Sequence, residues 1–199
     1  MKHGKFIRGL LIAMIAATLI IPTVFASGET DGDNWRLLQR AMSALEALRD
    51  RDNVALVTMA AKDGVVFSPY AYVEKTAVIL DAGDLAFFTS TLENMRVWGI
   101  YDGSGDPINL TVAEYFDRFV YDKDYINETS LIGIDTLVQT GNTLINLEEA
   151  FPNARFIEFA VPGTHPDYGG MDWASLRLIF QIEDGEFMLA GVVHDQWTI

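Results

Sequence analysis

Residues 171–199 read Met-Asp-Trp-Ala-Ser-Leu-Arg-Leu-Ile-Phe-Gln-Ile-Glu-Asp-Gly-Glu-Phe-Met-Leu-Ala-Gly-Val-Val-His-Asp-Gln-Trp-Thr-Ile. Two apolar runs, Ser175 to Ile182 and Glu186 to His194, flank Asp184-Gly185. A two-residue hairpin turn needs positive φ at its centre, and Asp-Gly tolerates it. The stretch predicts a β-hairpin central to its sheet.

Upstream of the hairpin the pattern is helical first and extended later. Trp35, Leu38, Met42, Leu45 and Leu48 recur at intervals of three and four, one face of an amphipathic helix. Asp33 or Asn34 is placed to cap its start, with Arg49 and Arg51 near its end. Val54 to Ala61 predicts a second, short helix. Val65 to Val73 is extended in character, with Pro69 confining it to an edge or a bulge. Val78 to Phe88 is ambiguous between strand and loop. Ser90-x-x-Glu93 and Thr111-x-x-Glu114 have capping-box spacing, the first opening a brief helix through Arg96. The second precedes a helix that would bury Tyr115, Phe116 and Phe119. Ile132 to Val138 and Phe156 to Val161 predict strands, and Asn146 to Phe151 one helical turn. Helices first and strands last predict an α+β fold, with the helices packed on one face of an antiparallel sheet.

Residues 1–26 read as a cleaved secretory signal. Lys2, His3, Lys5 and Arg8 precede an apolar run from Leu10 to Ile21, too short for a comfortable membrane span, and Val24-Phe25-Ala26 offers small residues for cleavage. Residues 27–34 read as a polar linker, and 35–199 as one globular domain. The remaining chain carries 11 Lys and Arg against 28 Asp and Glu, a net charge of −17. That balance argues against nucleic acid or anionic membrane surfaces, which need clustered positive charge. With no cysteine, neither a disulfide nor a lipidated cysteine is possible. The expectation is a protein outside the cytoplasm, in the periplasm or at the cell surface. No stable membrane span remains after signal removal.

Five phrases occur together: Phe67-Ser-Pro-Tyr70, Trp98-Gly-Ile-Tyr-Asp-Gly-Ser-Gly105, Glu114-Tyr-Phe-Asp-Arg-Phe-Val-Tyr-Asp122, Gly170-Met-Asp-Trp173 and His194-Asp-Gln-Trp-Thr-Ile199. As a set they resemble a group of bacterial secreted proteins and lipoproteins that brings no activity with it. The order of elements is also similar to the nuclear transport factor two and ketosteroid isomerase group. That resemblance implies a cone-like fold, in which N-terminal helices pack on a curved antiparallel sheet and leave a pocket.

Candidate chemistry is sparse. His194 ends the last strand. By strict alternation it shares a face with Met188, Ala190 and Val192. There it could act as a general base oriented by Asp172 or Glu158, or it could be a core histidine. Arg177 could pair structurally with Glu158 or clamp a ligand. His165 reads as a loop residue. The spacing gives neither a nucleophile triad nor a zinc site. Asp102-Gly-Ser-Gly-Asp106 starts like a calcium loop, but Pro107 stands where a glycine belongs and Ala113 where a glutamate does. No metal or cofactor is expected. Tyr70, Tyr72, Trp98, Tyr101, Tyr115 and Trp173 combine apolar bodies with polar tips, as the linings of small-molecule pockets do. With Arg177 and His194 they form the candidate ligand set. The leading expectation is a non-catalytic domain that binds a small molecule or an envelope protein in an aromatic-lined concavity. The alternatives are a proton-transfer enzyme of the ketosteroid-isomerase kind and a cell-envelope interaction module.

Overall fold

A computed structural model describes residues 27–87 and 93–198. The expected signal at 1–26 lies outside the described residues, as does Ser90 of the first capping box. The elements run α1 (Ser27–Asp50), α2 (Asn53–Met59), β1 (Val65–Ser68), β2 (Val78–Leu80), α3 (Ala82–Ala86), β3 (Met95–Ile100), β4 (Pro107–Thr111), α4 (Val112–Phe119), α5 (Tyr125–Glu128), β5 (Leu131–Ile134), α6 (Leu147–Ala150), β6 (Arg155–Val161), β7 (Ala174–Glu183) and β8 (Glu186–Gln196).

β7 and β8 form the expected hairpin, closed at Glu183 opposite Glu186. Asp184 and Gly185 take φ of 52° and 84°, left-handed at both turn positions. The six-stranded sheet has the order β2-β1-β8-β7-β6-β5, so the hairpin occupies its middle. Neighbours pair antiparallel except β1 and β8, which run parallel. The architecture is α+β, with N-terminal helices packed on a curved, mainly antiparallel sheet. A separate two-stranded ribbon, β3 with β4, stands beside it.

One extra residue decides the faces of β8. Gly191 pairs with Ile179 but Leu189 pairs with Phe180, which leaves Ala190 as a bulge. Below the bulge the alternation inverts. Phe187 and Leu189 therefore join Val192 and His194 on the helix-covered face, across from Leu176, Leu178 and Phe180. The strict alternation that grouped His194 with Met188 is corrected by this bulge.

α1 covers that face with Leu37, Ala41, Ala44, Leu45 and Leu48, all without solvent exposure. The buried stripe is rotated from the expected one. Trp35 is 60% exposed, and Leu38 and Met42 are only partly buried. Three alanines, Ala41, Ala44 and Ala47, let the helix approach the core closely, and each fully buried leucine contributes about 2 kcal/mol. Arg36 and Arg40 tie α1 to the hairpin through the carbonyls of Gly185 (2.9 Å) and Phe187 (2.8 Å). Residues 27–34, expected as a linker, are helical, and Asp33 and Asn34 lie inside α1 rather than capping it.

The capping box of α4 is present. Thr111 Oγ1 accepts from the Glu114 amide, and Glu114 accepts from the Thr111 amide. The helix then buries Tyr115, Phe116 and Phe119. Two expectations change. Pro69 does not push β1 to an edge; β1 stops at Ser68 and lies inside the sheet, because the missing N–H falls just beyond the last ladder position. Met95 and Arg96, expected in a helix, begin β3. Among the described residues no helix is long and apolar enough to cross a membrane.

Candidate functional site

Two segments build a cavity lined by aromatic residues. The first follows β1. Pro69 ends the strand, and the Ser68 hydroxyl donates to the Tyr70 carbonyl (2.8 Å), turning the chain at once. Asn146 then clamps Val73, accepting from its amide (2.8 Å) and donating to its carbonyl (3.1 Å). The second is the turn between β3 and β4. Gly103 and Gly105 have φ of 85° and 73°, and Tyr101 and Asp106 share a main-chain hydrogen bond. Asp102 and Ser104 accept from the Gly103 and Asp106 amides, so this calcium-like run spends polar atoms on its own turn. Among the described residues no cluster of His, Asp or Glu could hold a metal ion.

These segments enclose a cavity of about 320 Å³. Tyr70, Tyr72, Trp98 and Tyr101 line it, with Glu74 and Asp102 as its titratable acids. Thr143 closes it from the loop after β5, within 3.4 Å of Asp102 Oδ2. Tyr72 is 37% exposed and Tyr101 half-buried, so these rings offer the accessible aromatic surface. Tyr70 is nearly buried. Burial pushes its hydroxyl pKa up, partly offset by the Asp102 main chain. Trp98 has no exposed surface and stands behind the wall, its Nε1–H donating to the Leu110 carbonyl (3.1 Å). Two larger clefts, about 590 and 540 Å³, run along α6 and β6 and are more open to solvent.

Behind this wall lies a packed aromatic layer. Trp98 stacks on Tyr115 at 3.8 Å, Phe119 meets Tyr70 edge-on at 5.7 Å, and Phe67 meets Trp98 edge-on at 6.4 Å. Tyr115 therefore belongs to the core rather than to the cavity. Burial pushes its pKa well up, and its hydroxyl has no hydrogen-bond partner among the described residues.

His194 is also in this layer, edge-on to Phe119 at 5.7 Å, with no solvent exposure. Its Nδ1 lies 3.1 Å from the Pro69 carbonyl. A carbonyl only accepts, so Nδ1 carries the proton. Its Nε2 lies 3.2 Å from Asp122 Oδ1, an ion pair only when the ring is protonated. The Tyr125 hydroxyl donates to the same oxygen at 2.8 Å. Burial works to raise the Asp122 pKa, but His194 and Tyr125 outweigh it and hold the carboxyl below its ordinary value. His194 thus fixes the start of the cavity wall through Pro69. Its carboxylate partner is Asp122, not Asp172 or Glu158. The spacing from Asp122 to His194 carries no local signal, and Asp122-Lys-Asp124 reads as a loop.

Glu158 and Arg177 sit on the opposite face of the sheet, paired in register across β6 and β7. One Arg177 terminal nitrogen faces the Gln139 carbonyl (2.7 Å), Glu158 (3.0 Å) and Asp195 (2.9 Å). All three charged side chains are essentially unexposed. Ser175 donates to Glu158 at 2.5 Å, and the Val138 amide donates to it at 2.8 Å. Three acceptors crowd a nitrogen with two hydrogens, while Nε and the other terminal nitrogen have no partner among the described residues. Burial pushes the Asp195 pKa up, only partly offset by Arg177. This cluster pins the loop after β5 over the sheet and does not line the aromatic cavity.

Asp172 accepts from the amides of His165 and Thr164 (both 2.9 Å), which hold its pKa down. It anchors the 162–170 loop, where His165 stacks on Tyr168 at 4.3 Å. Trp173 packs against Gly141, where a Cβ would meet its ring at 3.0 Å. Of the candidate ligand set, the structure brings Tyr70, Tyr72, Trp98 and Tyr101 to one cavity. Tyr115, Trp173, Arg177 and His194 lie elsewhere.

No family model and no curated protein matches the chain. Solved structures similar to it include an NTF2 design, Rd1NTF2_05, carrying five substitutions, at 13% identity. That match covers 83% of this chain and 98% of the other, with a TM-score of 0.35. A protein from Xanthomonas campestris, described as a calcium/calmodulin dependent protein kinase II association domain, is 11% identical over 76% of this chain and 79% of its own, at a TM-score of 0.31. A protein from Streptomyces avermitilis, described as a dehydratase of the NTF2-like family, is 12% identical over 83% and 97%, also at 0.31. At these identities and TM-scores the likeness transfers no activity.

Proposed function

We propose that this chain is an exported, non-catalytic binding domain that holds a small ligand in the cavity between the 68–77 segment and the β3–β4 turn. The observation that carries this reading is the convergence of Tyr70, Tyr72 and Tyr101, backed by Trp98, on one 320 Å³ space, a volume within the range of small-molecule sites. Export is supported by the basic start and short apolar run of residues 1–26. N-terminal sequencing of the secreted protein tests it, with Ser27 expected first.

Proton transfer would need a His194 nitrogen free to meet a substrate. Both ring nitrogens instead face groups of the protein, and the ring has no exposed surface. Binding is tested by NMR titration with small neutral aromatic compounds such as p-cresol. Tyr72→Ala is the control, since a side chain this exposed is replaceable without unfolding. Shifts confined to residues around the cavity, weakened about ten-fold or more by Tyr72→Ala, are expected from the loss of a stacking ring. Binding unaffected by the variant, or none at all, refutes the reading.

A further inference from the structure

We propose that the ligand of this cavity is an organic cation, a quaternary ammonium or protonated amine seated against Tyr72 and Tyr101 with Glu74 and Asp102 as its counter-charge. The inference rests on the cavity being the ligand site. Its first support is the charge of the lining. Glu74 and Asp102 are there, and no Lys, Arg or His is. The nearest basic residue in sequence, Lys75, lines the adjoining cleft, which Tyr72 and Glu74 also border, and not this cavity. Arg118 holds its guanidinium carbon 5.8 Å from the Tyr101 ring centre and is not a lining residue either.

The second support is the kind of wall. Three tyrosines line it, Tyr72 and Tyr101 with exposed surface, and an aromatic ring is negative at its face and attracts a cation within about 6 Å. Bare backbone at Gly99, Gly103 and Gly105 completes the lining and leaves room for a bulky head group. An anionic ligand would meet two carboxylates without a basic partner. A purely apolar one would leave those carboxylates without any. The third support is the field of the molecule. With a net charge of −17 beyond residue 26, the surface potential draws cations toward it and repels anions. Carboxylates and aromatic rings together therefore select positive charge by both mechanisms.

The test is calorimetric titration of the purified protein with choline and with its neutral carbon isostere, in which a quaternary carbon replaces the nitrogen. p-Cresol is run in parallel to report the cavity itself. Choline is expected to bind at least ten-fold more tightly than the isostere. The double variant Glu74→Gln, Asp102→Asn should shrink that preference to about two-fold, and raised salt should shrink it in the wild type. The amide introduced by Asp102→Asn keeps an oxygen for the Gly103 N–H, so the turn survives the change. Equal binding of choline and isostere overturns the inference. A preference undiminished in the double variant overturns the assignment to Glu74 and Asp102. If p-cresol binds and choline does not, the cation inference fails and the cavity reading stands. If neither binds, both fail.

Discussion

Replacing Arg177 by Met should expose how the sheet tolerates a buried ionic cluster. Arg177, Glu158 and Asp195 have side-chain exposures of 0%, 0% and 1%. The variant removes the cation and leaves two buried carboxylates on β6 and β8, the strands on either side of β7. Glu158 keeps Ser175 and the Val138 amide, whereas Asp195 Oδ1 already lacks a partner among the described residues. Breaking a buried pair in this way costs about 3–5 kcal/mol, a large share of a total stability of about 5–15 kcal/mol. The Gln139 carbonyl loses its donor as well, which loosens the loop over the sheet. Urea unfolding at neutral pH measures the loss as a shift in midpoint at constant slope. Adding Glu158→Gln and Asp195→Asn to the same chain should restore more than half of it, because the stranded charges are gone. The penalty of the single variant should also shrink as pH falls, since a protonated carboxyl is buried at lower cost. A loss below about 1 kcal/mol, or a triple variant no more stable than Arg177→Met, would refute the account of this cluster.

Asp122→Asn should destabilise by about 2 kcal/mol at pH 7, the worth of hydrogen bonds to a charged group. The folded pKa of Asp122 is held below its ordinary value of 3.8, so its contribution is full above that pH and disappears as pH falls through the folded value. Unfolding curves of variant and wild type should therefore converge in strong acid; a difference that persists there contradicts the His194 contact as its source. The raised Asp195 works in the opposite sense and is common to both proteins. Tyr115→Phe removes a buried hydroxyl without a partner among the described residues and should stabilise by about 1 kcal/mol in urea. Destabilisation of that size would instead reveal a bound water as its partner.

The parts of this fold that were legible in advance rest on contacts between residues a few positions apart. Asp184-Gly185 announces the hairpin because the backbone there needs positive φ, and Thr111 with Glu114 announces α4 because each side chain satisfies the other's amide. The aromatic phrases around Tyr70 and Trp98 were visible as a set. Their meeting at one cavity was not, since β1 and β3 are brought together by tertiary packing, in the layer of Phe67, Trp98 and Tyr115. His194 shows the limit most clearly. Its face depends on a bulge at Ala190, and the carboxylate opposite it lies 72 positions earlier in the chain.

Taken by itself, the sequence determined the secondary elements that local chemistry dictates: a capped helix, a tight turn, an alternating strand, and an acidic surface without cysteine. Tertiary structure alone decided which polar groups were buried with which partners, and which tyrosines kept exposed surface. The reason is that one inserted residue in β8 reverses every side chain below it, and no short-range preference reports that choice.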